Sequence, residues 1–200
     1  MSAMLDYIAS AIIFGVLALS VARIQSNINA TLYQNTFTVI TQQNAVELAR
    51  QIEFDILKIG HHVRGQRIFY AAERRIQYRA DIRNDMDTVN VQYLAGTITQ
   101  GAITSNPRDF PLFRQEVTTN VRQNWGLIEF RITYFDSNNV QIGTPTNVAD
   151  TLVKIRGINV KFTVQSPEPV IGQAGDSSWA GVTWEKLMYP RNLGQLNLVE

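Results

Sequence analysis

An apolar, uncharged run near the start of the chain constrains its fold more than any other feature. Residues 7–22 contain no charged side chain; Asp6 precedes them, Arg23 follows, and the next charge is Glu47. As a helix, this run extends over roughly 24 Å, slightly less than the roughly 30 Å hydrocarbon core of a bilayer. The run therefore predicts a helix that barely spans a membrane and needs support from neighbours.

A secretory signal is the first alternative for this run, because export signals place a short apolar core behind a basic start. Here the preceding segment has no Lys or Arg and carries Asp6. Arg23, Ile24 and Gln25 occupy the place where a small-residue cleavage site belongs. The pattern favours a helix that is retained.

The helix is predicted to continue far beyond the apolar run. No proline precedes Pro107, and Gly15 is the only glycine before Gly60. Steps of three, four and seven residues place the later apolar positions on one helical stripe. These positions are Ile24, Ile28, Leu32, Val39, Val46, Ala49, Ile52, Ile56 and Ile59. We therefore predict one continuous helix over about residues 3–59.

The middle of this helix, residues 25–44, is polar but carries no charge. Asn, Gln, Ser and Thr fill most of its other faces, whereas a solvated helix normally carries Glu and Lys. Small neutral polar groups are tolerated between packed helices. The pattern favours protein neighbours on more than one side, and a coiled-coil stalk is the alternative.

Composition is consistent with a head attached to the helix. The chain has 200 residues, 45% of them hydrophobic, with no cysteine and a net charge of +1. It is long enough for a sizeable core, and its charge exerts no strong pull on nucleic acid or anionic lipid. We predict two parts, an assembly helix over residues 1–60 and a β-rich globular head over residues 61–200.

Short alternating runs after Gly60 predict an antiparallel β-sheet, which makes the fold class α+β. The predicted strands cover residues 76–80, 88–95, 126–135, 153–164 and 179–187. The clearest turn is DSNN at 136–139, because Asp and Asn side chains bond to the backbone and Asn tolerates positive φ. It predicts a hairpin that returns through Val140 and Ile142.

This layout resembles the type IV pilin and type II secretion pseudopilin superfamily. The segment ELARQIEFDILKIG (47–60) is similar to the helix end of W-type minor pilins and J-type minor pseudopilins. IRNDMDTVNVQY (82–93) resembles their acidic turn and strand, and WEKLMYPRNL (184–193) their C-terminal strand. The resemblance covers nearly the whole chain by layout, through degenerate motifs that carry no catalytic residues.

The resemblance implies a role for Asp6 in assembly. In pilins an acidic residue at position five of the mature chain pairs with the terminal amine of a neighbouring subunit, and loss of Met1 would give Asp6 that position. An anion that stabilises a helix N-terminus is the alternative role. The apolar contact surface predicted beside it consists of Ile8, Ile12, Phe14, Leu17 and Val21.

Pilin precursors also carry a short basic leader that ends in glycine, and they usually have glutamate where this chain has Asp6. Residues 1–6 contain neither the leader nor its glycine. Either the leader lies outside the given chain or the helix inserts without the usual processing.

The function implied is that of a structural subunit which assembles through its N-terminal helix into, or at the tip of, a pilus-like or pseudopilus filament. Its partners would be other pilin-like subunits, and the inner membrane before assembly. The head would lie in the periplasm or outside the cell, at the cell surface once assembled. The alternative is a single-pass, membrane-anchored accessory subunit of a non-filamentous complex.

Other sites are weaker candidates. Arginines 64, 67, 74, 75, 79 and 83 can contact phosphate, and a DNA-capturing tip would use them, but interspersed acids indicate a solvated surface, so we expect no nucleic acid partner. His61 and His62 are poorly placed for one metal without further ligands. Asp81, Asp85 and Asp87 lack the glycine and the late glutamate of a calcium loop. We predict no enzyme activity, cofactor, metal or small-molecule substrate.

Overall fold

A computed structural model describes residues 2–101, 104–116, 119–171 and 177–194. One long helix packs through its C-terminal part against a curled antiparallel β-sheet. The predicted α+β fold, a long N-terminal helix packed on an antiparallel sheet in a pilin-like layout, is confirmed.

The long helix, α1, covers Ser2–Leu57. Two single-turn helices, α2 (Ile98–Gly101) and α3 (Ala149–Leu152), and a 3₁₀ turn at Arg191–Leu193 lie in the head. The strands are β1 Ile68–Ala72, β2 Arg75–Ala80, β3 Val89–Ala95, β4 Phe110–Glu116, β5 Thr119–Phe135, β6 Gln141–Ile142, β7 Gly157–Gln165, β8 Val170–Ile171, β9 Ser177–Ser178 and β10 Gly181–Met188.

Helix α1 ends in a turn that leads to Gly60. Gly60 has φ +78°, a left-handed conformation that glycine adopts without steric cost. A Cβ atom at this position would lie 2.7 Å from Cδ of Arg67, so a side chain there would also collide. The Gly60 amide donates to the Arg79 carbonyl at 3.0 Å, which joins the end of the helix to β2.

All neighbouring strands of the main sheet are antiparallel. Their order is β1-β2-β3-β4-β5-β7-β10, and β6 pairs with the end of β5 as the predicted hairpin. Asp136 Oδ1 accepts hydrogen bonds from the amides of Asn138 and Val140, and Asn139 has φ +59°. The hairpin prediction is confirmed, together with the turn chemistry behind it.

The sheet curls because β5 is long and bent. Its first half pairs with β4 and its second half with β7, and the register shifts on both sides near Gly126. The curl brings the β1–β2 turn back to β5, where the Ile132 amide donates to the Glu73 carbonyl at 2.8 Å. Tyr134 Oη, also on β5, donates to the Ala72 carbonyl at the end of β1, at 3.1 Å.

The core is shared by the sheet and the last four turns of α1. The buried helix side chains are Thr41, Ala45, Leu48, Ala49, Ile52, Asp55 and Ile56, and Ile59 follows in the turn beyond the helix. They pack against the buried side chains of β5, β7 and β10. Side chains alternate between the two faces of a strand, and from Ile158 onward every second residue of β7 is buried.

Three details differ from the sequence expectations. Val46, placed on the apolar stripe, is 48% exposed, whereas Leu48, which that stripe does not include, is buried. The strand expected over residues 153–164 begins only at Gly157, after α3. Strands β1 and β4 were not predicted, and β5 starts seven residues earlier than expected, at Thr119 instead of residue 126.

Candidate functional site

The predicted assembly residues all lie on the free part of α1. Asp6 is exposed, and the five apolar side chains have exposed fractions between 55% and 74%. They are Ile8, Ile12, Phe14, Leu17 and Val21. No described part of the head covers this end of the helix, since every side chain described from residue 4 to residue 33 is exposed.

These residues do not share one face of the helix. At about 100° per residue, Ile8 and Ile12 lie on one side together with Gly15. Leu17 and Val21 lie on the opposite side, close to the direction of Asp6. The end of the helix is therefore apolar around its whole circumference, which is typical of a helix surrounded by lipid or by several protein neighbours.

Helix α1 is long and apolar enough to cross a membrane. The qualifying segment is Met4–Leu57, and its most apolar stretch is not buried in the structure. At about 1.5 Å per residue, the 56 residues of α1 extend over roughly 84 Å, far more than a bilayer needs. Most of the helix therefore lies outside any bilayer that its first turns could enter.

Residues 23–40, which we call the bridging section, lie between the apolar end and the core-packed end. Its threonine hydroxyls donate to carbonyls one turn earlier in the helix, as Thr31 does to Asn27 and Thr36 to Leu32, both at 2.9 Å. These hydroxyls already have internal partners. The section can therefore be covered by other protein without leaving those hydroxyls unsatisfied.

One apolar cleft marks the place where the bridging section leaves the head. Ala30, Tyr33 and Phe37 of α1 face Pro169 and Val170 across a volume of about 360 Å³. Among the described residues, the bridging section contacts the head at this cleft, and its other side chains are exposed.

A polar network that the sequence expectations missed joins α1 to the sheet. Asp55 Oδ2 accepts hydrogen bonds from Tyr93 Oη at 2.5 Å and from Arg114 Nε at 2.7 Å. Glu116 accepts a second bond from Arg114 at 3.0 Å. Burial by itself lowers the pKa of Arg114, but the hydrogen bond and charge of Asp55 outweigh it and raise that pKa. A signal for this site was present, since Asp55 stands between Ile52 and Ile56 on an otherwise apolar stripe.

The two histidines and Asp81 lie together at the end of the helix. His62 Nδ1 is 2.7 Å from Asp81 Oδ2, and the rings of His61 and His62 stack with centroids 3.9 Å apart. Asp81 is fully buried and also accepts hydrogen bonds from the backbone amides of Asp85 and Met86. Burial acts to raise the pKa of Asp81, but the hydrogen bonds outweigh it and hold that pKa at about 2.

The acidic turn does not form a calcium cage among the described residues. Asp81 uses its oxygens to cap the turn, and Asp85 Oδ1 accepts the amide of Asp87 at 3.0 Å. Asp85 and Asp87 are exposed and lie outside the group formed by Asp81 and the histidines. Asp81 and Asp85 therefore stabilise the turn by accepting hydrogen bonds from its backbone amides.

Four of the six arginines considered for phosphate contact are engaged within the head. Arg74 donates to the Gly96 carbonyl at 2.8 Å and lies over the Phe110 ring. Arg75 donates to Gln92, Arg79 to Asn90 and Arg83 to Glu116. Partners on other strands or loops of the head therefore account for these four side chains.

Comparisons with known proteins do not bear on this geometry. A scan against protein-family models, a search of curated proteins and a search of solved structures each found no match to this chain.

Proposed function

We propose that this chain is a pilin-like structural subunit that inserts into a membrane through the apolar end of α1 and assembles through α1 into, or at the tip of, a type IV pilus-like or pseudopilus filament. Before assembly the head lies on the periplasmic or outer side of the membrane. Asp6 and the apolar residues around it make the first contacts with neighbouring helices.

The observation that carries this proposal is the bridging section. The apolar run accounts for roughly 24 Å of α1, and residues 41–57, which pack on the head, for roughly 26 Å. Residues 23–40 account for another roughly 27 Å that lies beyond the apolar run, and the described part of the head leaves it exposed except at the cleft beside Pro169 and Val170. A bundle of identical helices would cover it on several sides.

The chemistry of the bridging section supports a protein environment over water. After Arg23 it carries no charge, and its apolar side chains Ile24, Ile28, Leu32 and Val39 are each at least half exposed. A helix that stays in water normally places charges opposite such residues. Burial of these side chains against neighbouring copies would gain about 25 cal/mol for each Å² of apolar surface removed from water.

The isolation of Asp6 supports its place in assembly. A carboxylate at the edge of the hydrocarbon is costly unless it finds a partner. Its nearest charged residue along the chain is Arg23, seventeen positions away. Those positions correspond to roughly 25 Å along a helix, which is too far for an ion pair between Asp6 and Arg23 of the same chain. A partner from a neighbouring chain would offset that cost and define the register between helices.

Electron microscopy of native, gently detergent-treated material tests this proposal. Wild type should show helical fibres, and Asp6→Ala should show none while its head remains folded by near-UV circular dichroism. Ser10→Ala is the matched control, because it removes an exposed hydroxyl one turn later and leaves the carboxylate in place.

Asp6→Glu should restore fibres, because it keeps the charge. Discrete membrane particles in wild type and variants alike would overturn the filament proposal and favour the anchored accessory subunit.

A further inference from the structure

Two adjacent histidines and a distant aspartate form a cluster at the junction of helix and sheet. His61 and His62 belong to the turn after α1, and Asp81 follows directly after β2. One potential ligand atom from each of the three lies within 4.8 Å of the other two. The structure thus supplies the carboxylate that the sequence alone does not place beside the histidines.

Backbone hydrogen bonds hold the cluster in position. The Asp81 amide donates to the His61 carbonyl at 3.0 Å, and the Gly60 amide donates to the Arg79 carbonyl at 3.0 Å. His62 has φ +55°, a conformation that a residue with a side chain adopts at some cost. The turn is therefore tied to the strand that delivers Asp81, which keeps the three residues close together.

The contact with Asp81 determines which nitrogen of His62 is free. In the neutral ring, Nδ1–H donates to Asp81 Oδ2 at 2.7 Å, which leaves the lone pair on Nε2. A histidine that binds a metal typically donates its other nitrogen to a carboxylate in this way. The side chain of His62 is 41% exposed, so an ion can reach it from solvent.

The two rings lie close enough to each other to reach one ion. Their planes lie 28° apart, with centroids separated by 3.9 Å. Zn²⁺ receives its ligands along widely diverging directions, so one ring has to rotate out of the stack for both imidazoles to share the ion. Both rings line an open cleft of about 770 Å³, which leaves room for water to complete the coordination.

We propose that His61 and His62 bind a divalent ion of the zinc class through their imidazole nitrogens, with Asp81 orienting His62 and water filling the remaining positions. Imidazole ligands suit Zn²⁺, Ni²⁺ and Cu²⁺, whereas Ca²⁺ and Mg²⁺ require oxygen cages. Arg64 also lines the cleft and disfavours cations that are held by charge alone. This site lies in the head and is independent of filament assembly.

The composition of the chain makes the site easy to test. The protein has two histidines and no cysteine, so any imidazole-dependent uptake of metal must come from this pair. The experiment uses the full chain in detergent without a polyhistidine tag, because such a tag would itself bind the probe. Zn²⁺ is titrated by calorimetry, and Co²⁺ absorption reports on the ligands.

Wild type should take up one Zn²⁺ per chain. His61→Ala and His62→Ala should each weaken that binding at least tenfold, as should Asp81→Asn through loss of the orienting carboxylate. Asp87→Ala is the matched control, because it removes an exposed carboxylate from the same turn and leaves the three residues intact. It should bind Zn²⁺ like wild type.

His61→Ala is the most informative variant, because the ring of His61 does not hold Asp81 and its loss should leave the turn folded. Near-UV circular dichroism of each variant checks that point. No saturable Zn²⁺ uptake by wild type, or equal uptake by wild type and His61→Ala, would overturn the proposed site.

Discussion

Arg114 Nε on β4 donates a hydrogen bond to Asp55 Oδ2 on α1 at 2.7 Å, and this pair of a buried carboxylate and a partly buried guanidinium joins the helix to the sheet. Tyr93 donates to the same carboxylate oxygen from β3. One side chain of α1 is thus bonded to two strands. The orientation of the exposed part of the helix relative to the head depends on this junction.

Loss of Asp55 should therefore destabilise the head strongly. Asp55→Ala leaves a partly buried guanidinium and a buried phenol without their shared acceptor, and we expect a loss of about 3 to 5 kcal/mol in the free energy of unfolding. Tryptophan fluorescence during denaturant unfolding of the detergent-solubilised chain measures it. Glu53→Ala is the matched control, because its partner Lys186 is half-exposed and such pairs contribute about 0 to 1 kcal/mol. Equal losses in both variants would contradict the prediction.

Two buried tyrosines should respond oppositely to loss of their hydroxyl. Tyr78 Oη is buried without a hydrogen-bond partner among the described residues, whereas Tyr93 Oη is bonded to Asp55. Because an unsatisfied buried hydroxyl costs about 1 to 3 kcal/mol, Tyr78→Phe should stabilise the head by about 1 kcal/mol. Tyr93→Phe should cost about 1.5 to 3 kcal/mol, since it removes a bond to a charged group.

The same unfolding assay compares the two phenylalanine variants, which delete the same atom. A destabilised Tyr78→Phe would show that its hydroxyl has a partner, such as a bound water.

The head should lose stability in alkaline solution. Burial raises the pKa of Tyr78, Tyr93 and Tyr134 above the usual value of about 10. Above that pH the unfolded chain releases these protons first, so the folded state binds more protons and the free energy of unfolding falls as pH rises. Each phenol contributes a slope of about 1.4 kcal/mol per pH unit, and the full stabilisation is present below pH of about 10.

Denaturant unfolding at a series of pH values measures this slope. Tyr134→Phe should reduce it by about one third, because it removes one of the three phenols. Tyr189→Phe, at a half-exposed position, is the matched control for removing a phenol. An unchanged slope in Tyr134→Phe would contradict the prediction.

Gly126→Ala should destabilise the bend in β5. Gly126 has φ +74°, and a Cβ atom there would lie 2.4 Å from the Gln165 carbonyl oxygen, so both the backbone and the packing resist a side chain. We expect a cost of about 3 kcal/mol or more, from strain plus displacement of β7. Gly143→Ala is the control, because nothing lies within 4 Å of its Cβ position. Similar melting temperatures for the two variants would contradict this account.

A charge in the apolar end of α1 should release the protein from membranes. Leu17→Arg places a cation at the middle of the apolar run, where insertion scales assign a cost of about 2.5 to 3.5 kcal/mol. We expect a shift from the pellet to the supernatant after alkaline extraction of membranes. Asn27→Arg, in the bridging section, should stay in the pellet like wild type. Retention of Leu17→Arg would contradict insertion through this segment.

Local chemistry was enough to predict some elements. The helix predicted over residues 3–59 is observed at Ser2–Leu57, because periodicity and missing helix-breakers are properties of the segment itself. The hairpin at Asp136 was predictable for the same reason, since its turn is built from bonds within five residues. Strands β2 and β3 also alternate clearly enough to be found within about one residue.

Pairing between distant segments decided the rest. Strand β4 carries the sequence FPLFRQE without clear alternation, and it is a strand because β3 and β5 satisfy its backbone on both sides. Val46 is exposed although it belongs to the apolar stripe, because the position of the sheet determines which face of the helix is buried. The spacing of apolar residues along the helix does not indicate on which side the sheet will pack.

The apolar run, the isolated Asp6 and the lack of charge in the bridging section after Arg23 can be read directly from the chain, because each is a matter of composition along one helix. The sites in the head cannot be read from the chain in this way. Asp55 meets Arg114 across 59 positions, and His62 meets Asp81 across 19. Hydrogen bonds of this kind act over about 3 Å, so only the curl of the sheet and the turn at Gly60 determine which of these side chains meet.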